Sequence, residues 1–227
     1  MKRFLLCLVF TSFGFAQQPV AISPLPQNYQ TIYENDDLLV MRVHYGPGEF
    51  IPMHDHTAFP TLFVYLNDSG PVKITHDTGD DPSVIRPPTH AGAFRLAPGM
   101  SERHSVTSQS KTASDFLRVE LKKIPADDIK DVFRGEVPVA LTPGAHAEFS
   151  DKALRIERVS CPAGSSCPLD RIADRSLLIA LKAETLQTPN GPVLLNAGNL
   201  RWIAGGDKRD WELNSGSQFL RVVLLYP

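Results

Sequence analysis

The chain has 227 residues, 42% of them hydrophobic and 21% charged, with a formal net charge of −2. That balance fits a folded chain with a buried core and excludes disorder as the default. Lys and Arg gather into no patch, which excludes nucleic acid as a partner, and 19 prolines favour short elements joined by turns over long helices.

The first segment is not expected to join the fold. Residues 1–16 open with Lys2 and Arg3, run on through an apolar stretch and close on Gly14, Phe15 and Ala16. That order predicts a secretory signal peptide, cleaved on export to the periplasm or the extracellular space. The apolar run is too short to span a bilayer, and no later segment is long and apolar enough, so no membrane span is expected. Cys7 follows Leu5 and Leu6, without the small residue that a lipidated cysteine prefers.

Residues 17–30 read as an N-terminal arm, and a strand-rich unit follows over 31–123. Leu39, Met41, Val43 and Tyr45 alternate with Val40, Arg42 and His44, the period of two that marks a strand. Next comes GEFIPMHDH, residues 48–56. On a strand, residues two apart point to the same side, so His54 and His56 project together and Asp55 points away. Runs at 62–66 and 72–75 read as further strands, split by the turn cluster at 67–71. Strands at 94–97 and 116–121 complete the unit, with His104 between them. Three imidazoles from two separate strands can converge on one divalent cation; imidazole suits Zn, Cu, Fe and Ni. Glu102 is a further candidate ligand, weakened by its expected place in a turn. Arg42 and His44 share a strand face and are expected to line the same cavity, where either could neutralise a substrate anion or transfer a proton. Phe63 and Tyr65 are expected to border it, and His76, His90 and His146 read as solvated or capping residues.

Residues 124–147 read as a linker with a short helix over 127–133, and 148–227 as a second copy of the first unit. HAGAFRLAPGMSERH at 90–104 aligns without gaps with NAGNLRWIAGGDKRD at 196–210, and FLRVEL at 116–121 with FLRVVL at 219–224. Strands are expected at 154–159, 177–182, 193–195, 200–204 and 219–225. The second copy lacks the histidines: His104 corresponds to Asp210 and His90 to Asn196, leaving only Asp170 and Asp210 as a weak pair. Arg95 and Arg118 recur as Arg201 and Arg221, and survival without the histidines favours structural ion pairing for both. Cys161 and Cys167 either close a small loop as a disulfide, as an oxidising compartment favours, or stay as two buried thiols. Many short strands with Gly and Pro turns predict an all-β sandwich or barrel architecture.

The histidine pattern resembles that of the cupin superfamily. Gly48, His54 and His56 match its first motif, with Thr61 in the place of the usual glutamate and Gly70 slightly late as the closing glycine. Gly92, Pro98 and His104 match its second motif, with one extra residue before the histidine and Ser108 in the place of asparagine. The resemblance implies a bicupin, two tandem jelly-roll β-barrels, the second degenerate, and a site for one divalent metal on His54, His56 and His104. Fe(II) is the first choice, with Zn, Ni, Cu or Mn as alternatives. Without the glutamate such a site keeps its full charge and attracts small anionic or chelating substrates, as in dioxygenases that use three histidines. The alternative is a non-catalytic module of the cell envelope that binds a small ligand or a metal. A homodimer is plausible on the same resemblance.

Overall fold

A computed structural model describes residues 24–77, 83–135, 142–165, 167–169, 174–188, 190–206 and 211–226. The segment expected to be a signal peptide lies outside them, as do Asp170 and Asp210. Among the described residues there is no α-helix, only one 3-10 turn at Ala126–Asp128, and no helix long and apolar enough to cross a membrane.

The chain forms two β-barrels in tandem. The first uses β1 (Tyr29–Glu34), β2 (Leu38–Tyr45), β3 (Phe50–His56), β4 (Thr61–Tyr65), β5 (Val72–His76), β6 (Ser83–Arg86), β7 (Phe94–Ala97), β8 (Glu102–Ser108), β9 (Ser114–Leu121) and β10 (Val132–Arg134). The second uses β11 (Gly144–Ser150), β12 (Leu154–Ser160), β13 (Cys167–Leu169), β14 (Arg175–Ala180), β15 (Glu184–Thr188), β16 (Gly191–Leu195), β17 (Leu200–Ile203), β18 (Trp211–Leu213) and β19 (Gln218–Leu224). In each barrel a larger sheet faces a smaller one: β1-β2-β9-β4-β7-β10 faces β3-β8-β5-β6, and β11-β12-β19-β14-β17 faces β13-β18-β15-β16. The two orders coincide when ten is added to each strand number of the first barrel, except that β10 has no counterpart among the described residues, so the sequence repeat is a repeat of topology.

Strand alternation divides the first barrel's large sheet between two tasks. Leu62 and Val64 on β4, with Leu117, Val119 and Leu121 on β9, are buried with Leu177, Ile179, Leu220 and Val222 of the second barrel in one apolar cluster. The large sheets therefore pack face to face and share a core. The intervening residues Thr61, Phe63, Tyr65, Phe116 and Arg118 point the other way and line the first barrel's cavity.

Two boundaries differ from expectation. The helix expected over 127–133 is a single 3-10 turn without a side-chain cap, and Ile129 after it is extended (φ −105°, ψ 130°). The buried Ile129 and the pairing of β10 with the free edge of β7 hold this segment extended. What reads as a linker thus supplies an edge strand to the first barrel, and its end opens β11. Likewise β1 begins at Tyr29, inside the segment read as an arm.

Candidate metal centre

β3 and β8 pair antiparallel, with His54 opposite His104 and His56 opposite Glu102. On the other side of β8, His76 of β5 also stands opposite His104. Directly opposed residues share a face, as do residues two apart on one strand. All five side chains therefore point into the barrel. A register shift between Ile51 and His54 bends β3 and re-aims the His54–His56 end, as bulges beside functional sites do. Ring centroids lie 4.8 Å apart for His54 and His56, 4.7 Å for His54 and His104, and 5.0 Å for His56 and His104. One ligand nitrogen from each of the three lies within 4.8 Å of the others.

The three rings are nearly water-free, at 1%, 3% and 5% exposure for His54, His56 and His104. His54 Nδ1 donates to the Pro52 carbonyl (2.7 Å), which leaves Nε2 as the lone-pair nitrogen. The Tyr29 hydroxyl meets that nitrogen at 3.1 Å and is itself 2.6 Å from the Tyr45 hydroxyl. Glu102 Oε1 lies 2.9 Å from His104 Nδ1, out of line for a hydrogen bond because that nitrogen remains without a partner. The same oxygen accepts from His76 Nε2 at 2.8 Å. His56 has no hydrogen-bond partner at either ring nitrogen.

Burial first, then the Arg118, His104 and His54 charges, push the His56 imidazole down to about 2. Burial, followed by His104 and Arg118, also lowers His54. Both rings are therefore neutral at neutral pH, the form that binds metal. Burial opposes ionisation of Glu102, but its contacts with His104 and His76, helped by Arg118, hold its carboxyl well below the usual range. Burial raises Tyr29 to about 12, so its hydroxyl keeps its proton.

The residues present fit a divalent ion. Burying an imidazole with two unmet nitrogens costs about 1–3 kcal/mol, and such orphaned groups are rare in folded proteins. Glu102 contributes more than expected: it is the first residue of β8 and not part of a turn, so it faces the same interior as the histidines. A second triplet, His76, Glu102 and His104, also has ligand atoms within 4.8 Å of one another. His76 belongs to this cluster instead of being solvated, and its place opposite His104 became visible only with the strand register. His90 and His146 are exposed. Thr61 lines the cavity, but its hydroxyl donates to the Phe59 carbonyl (3.0 Å).

Arg42 and His44 do not reach this cavity. Met41, Val43 and Tyr45 take the inward face of β2, so alternation turns Arg42 and His44 outward. His44 is exposed, with Nδ1 3.0 Å from Asp115 Oδ1, and Arg42 reaches toward the Ala197 carbonyl of the second barrel (3.5 Å). Of the arginines that line the cavity, Arg86, Arg95 and Arg118, the buried one is Arg118, 5% exposed, with Nε donating to Glu120 Oε1 at 3.1 Å and its guanidinium 5.3 Å from the Phe63 ring centroid. In the second barrel Cys161 and Cys167 form a disulfide.

No protein-family model matches the sequence, and no curated protein matches it. Solved structures do match in fold. The bacterial pirin YhhW from Escherichia coli in complex with nickel(II) superposes with a TM-score of 0.58 at 14% identity, covering 86% of this chain and 90% of that one. AerE from Microcystis aeruginosa gives 0.56 at 12% identity, covering 87% and 97%. A salicylate 1,2-dioxygenase from Pseudaminobacter salicylatoxidans gives 0.51 at 12% identity, covering 82% and 70%. The protein has the cupin fold.

Proposed function

We propose that the first barrel binds one divalent metal through His54, His56 and His104, with Glu102 positioned beside them, and that this centre acts on a small anionic or chelating molecule. The observation that carries the reading is His56, buried with both nitrogens unpartnered and converging with two other imidazoles from β3 and β8. Fe(II) is the first choice, in the manner of a dioxygenase, and Zn, Ni, Cu or Mn the alternatives. The solved structures of like fold include one named as a dioxygenase and one holding nickel. Bound there, the ion would supply Lewis acidity and, as iron, redox chemistry. The chain's own residues would do the rest. The Pro52 carbonyl fixes the His54 tautomer, His76 holds Glu102 beside His104, and the barrel wall excludes bulk water. An exported location, periplasmic or extracellular, agrees with the disulfide.

A non-catalytic binding module is the second reading, and one observation favours it. The carboxylates in or behind the cavity are already engaged, Glu120 by Arg118 and Thr57, Glu102 by His76, and Asp131 by Arg95. None stands free as a general base.

Elemental analysis of protein purified without added metal is expected to find about one equivalent, lost in His54→Ala and in His104→Ala. Unchanged metal content in both variants would defeat the ligand set. Oxygen uptake with a panel of small acids then separates enzyme from binder.

A further inference from the structure

We infer that Arg118 is the seat for the carboxylate of a flat, apolar acid, and that an aromatic monocarboxylate is the class of ligand the first barrel accepts. The inference rests on the metal-centre reading for what happens to that ligand, though its own evidence comes from the cavity.

The cavity measures about 200 Å³, which admits a small molecule and no polymer. Aromatic rings of Phe59, Phe63, Tyr65 and Phe116 line it together with His104 and Arg118. Such walls favour a planar apolar body. Arg118 supplies the polar end. Its Nε is held by Glu120, and Glu120 is held on its other oxygen by the Thr57 hydroxyl (2.8 Å). The guanidinium is thereby fixed from behind. Its two terminal nitrogens have no protein partner among the described residues, which leaves a planar fork suited to bidentate recognition of a carboxylate.

The repeat provides an internal control. Arg221 occupies the same place in the second barrel, but both its Nε and its Nη2 bond to Glu157. The same arginine is consumed by the protein where the histidines are missing and left open where they are present. Charge agrees. Arg86, Arg95 and Arg118 are set against Glu102, Glu120 and Asp131 around this cavity, so they balance, and a divalent ion held by the three histidines would tip the interior toward an anion.

Calorimetric titration of the full chain with benzoate, benzamide and acetate tests this, on metal-free and metal-loaded protein. Benzoate should bind at least about ten-fold more tightly than either comparison ligand, a gap of about 1.4 kcal/mol. Arg118→Lys keeps the charge and the partner of Glu120 but loses the fork, and should weaken benzoate about ten-fold. The pair Arg118→Met with Glu120→Gln removes both buried charges together, and should abolish benzoate binding while metal content stays unchanged. If that pair fails to fold, Arg118→Lys alone decides. Benzoate binding unaltered in Arg118→Lys and in the folded pair, or benzamide binding as tightly as benzoate, would overturn the carboxylate seat. Acetate binding as tightly as benzoate would overturn the aromatic class. A benzoate affinity that depends on Arg118 in a protein that never holds metal would support the seat and defeat the metal centre.

Discussion

Thr61 stands where the first cupin motif usually carries a glutamate, and its cross-strand neighbour gives the reason. Thr61 of β4 lies directly opposite Glu120 of β9, and Glu120 is buried and needed to hold Arg118. A second carboxylate there would face the first, and like charges directly opposed in a sheet destabilise it. Thr61→Glu should therefore lower the stability of the metal-free protein by about 1 kcal/mol. It should also tighten Mn(II) binding about ten-fold by adding a hard oxygen ligand. Thermal melts without metal and Mn(II) titrations measure the two effects. A stability loss with no gain in Mn(II) affinity would show that position 61 faces Glu120 and not the ion. At this scale the sequence discloses residue types and spacings but not partners. His54 and His56 were legible because a spacing of two on a strand fixes a common side. Arg118 was read as a structural ion pair because it recurs as Arg221, and both pairs form, with Glu120 and with Glu157; only the count of occupied nitrogens separates the two. Arg42 and His44 were placed on one face correctly, but nothing local in the chain says which face of β2 is inside.

Among the elements, the AG turns at 91–92 and 197–198 show what the repeat preserves. Gly92 and Gly198 have φ of 83° and 81°, in the left-handed region where a side chain is strained. Each turn closes on its own barrel, with Gly92 N–H donating to the Tyr65 carbonyl and Gly198 N–H to the Ala180 carbonyl. Each also meets the opposite barrel. Arg158, fully buried and tied to Glu148, donates to the Gly92 carbonyl at 2.9 Å, and Arg42, its counterpart on β2, approaches the Ala197 carbonyl. Arg42 is thus half of a reciprocal seam between barrels, which accounts for its place on the outward face of β2. A Cβ on Gly198 would lie 2.6 Å from Leu66 Cδ1, whereas one on Gly216, with φ of 85°, would meet nothing within 4 Å. Gly216→Ala should cost only the backbone strain, about 1 kcal/mol. Gly198→Ala should cost about 2–3 kcal/mol, because Leu66 must also move. Urea denaturation of the two variants measures the difference, and equal losses would mean that the seam yields freely.

At the scale of the molecule, the repeat made two like units legible, but not how they meet. The apolar residues at 62, 64, 117 and 119 and those at 177, 179, 220 and 222 each look like the inside of their own barrel. Alternation does not reveal that these rows face each other, because both faces of β4 and β9 are covered. One row fills the shared core and the other lines the cavity. A shared core couples the halves. Both tryptophans, Trp202 and Trp211, lie on strands of the second barrel, Trp202 packs against the common cluster, and its ring centroid is 6.5 Å from that of Tyr33 in the first barrel. The proposed metal site lies wholly in the first barrel. If the shared cluster makes the chain unfold as one unit, metal at about a hundred times its dissociation constant adds about 2.7 kcal/mol to the stability of both halves. Tryptophan fluorescence, a reporter in the barrel that lacks the metal-site histidines, should then melt about 5–10 °C higher in the presence of metal. His54→Ala should erase that shift. A tryptophan transition that ignores metal, while circular dichroism records a separate and metal-sensitive step, would mean that the barrels melt independently and that the shared face contributes little to holding them together.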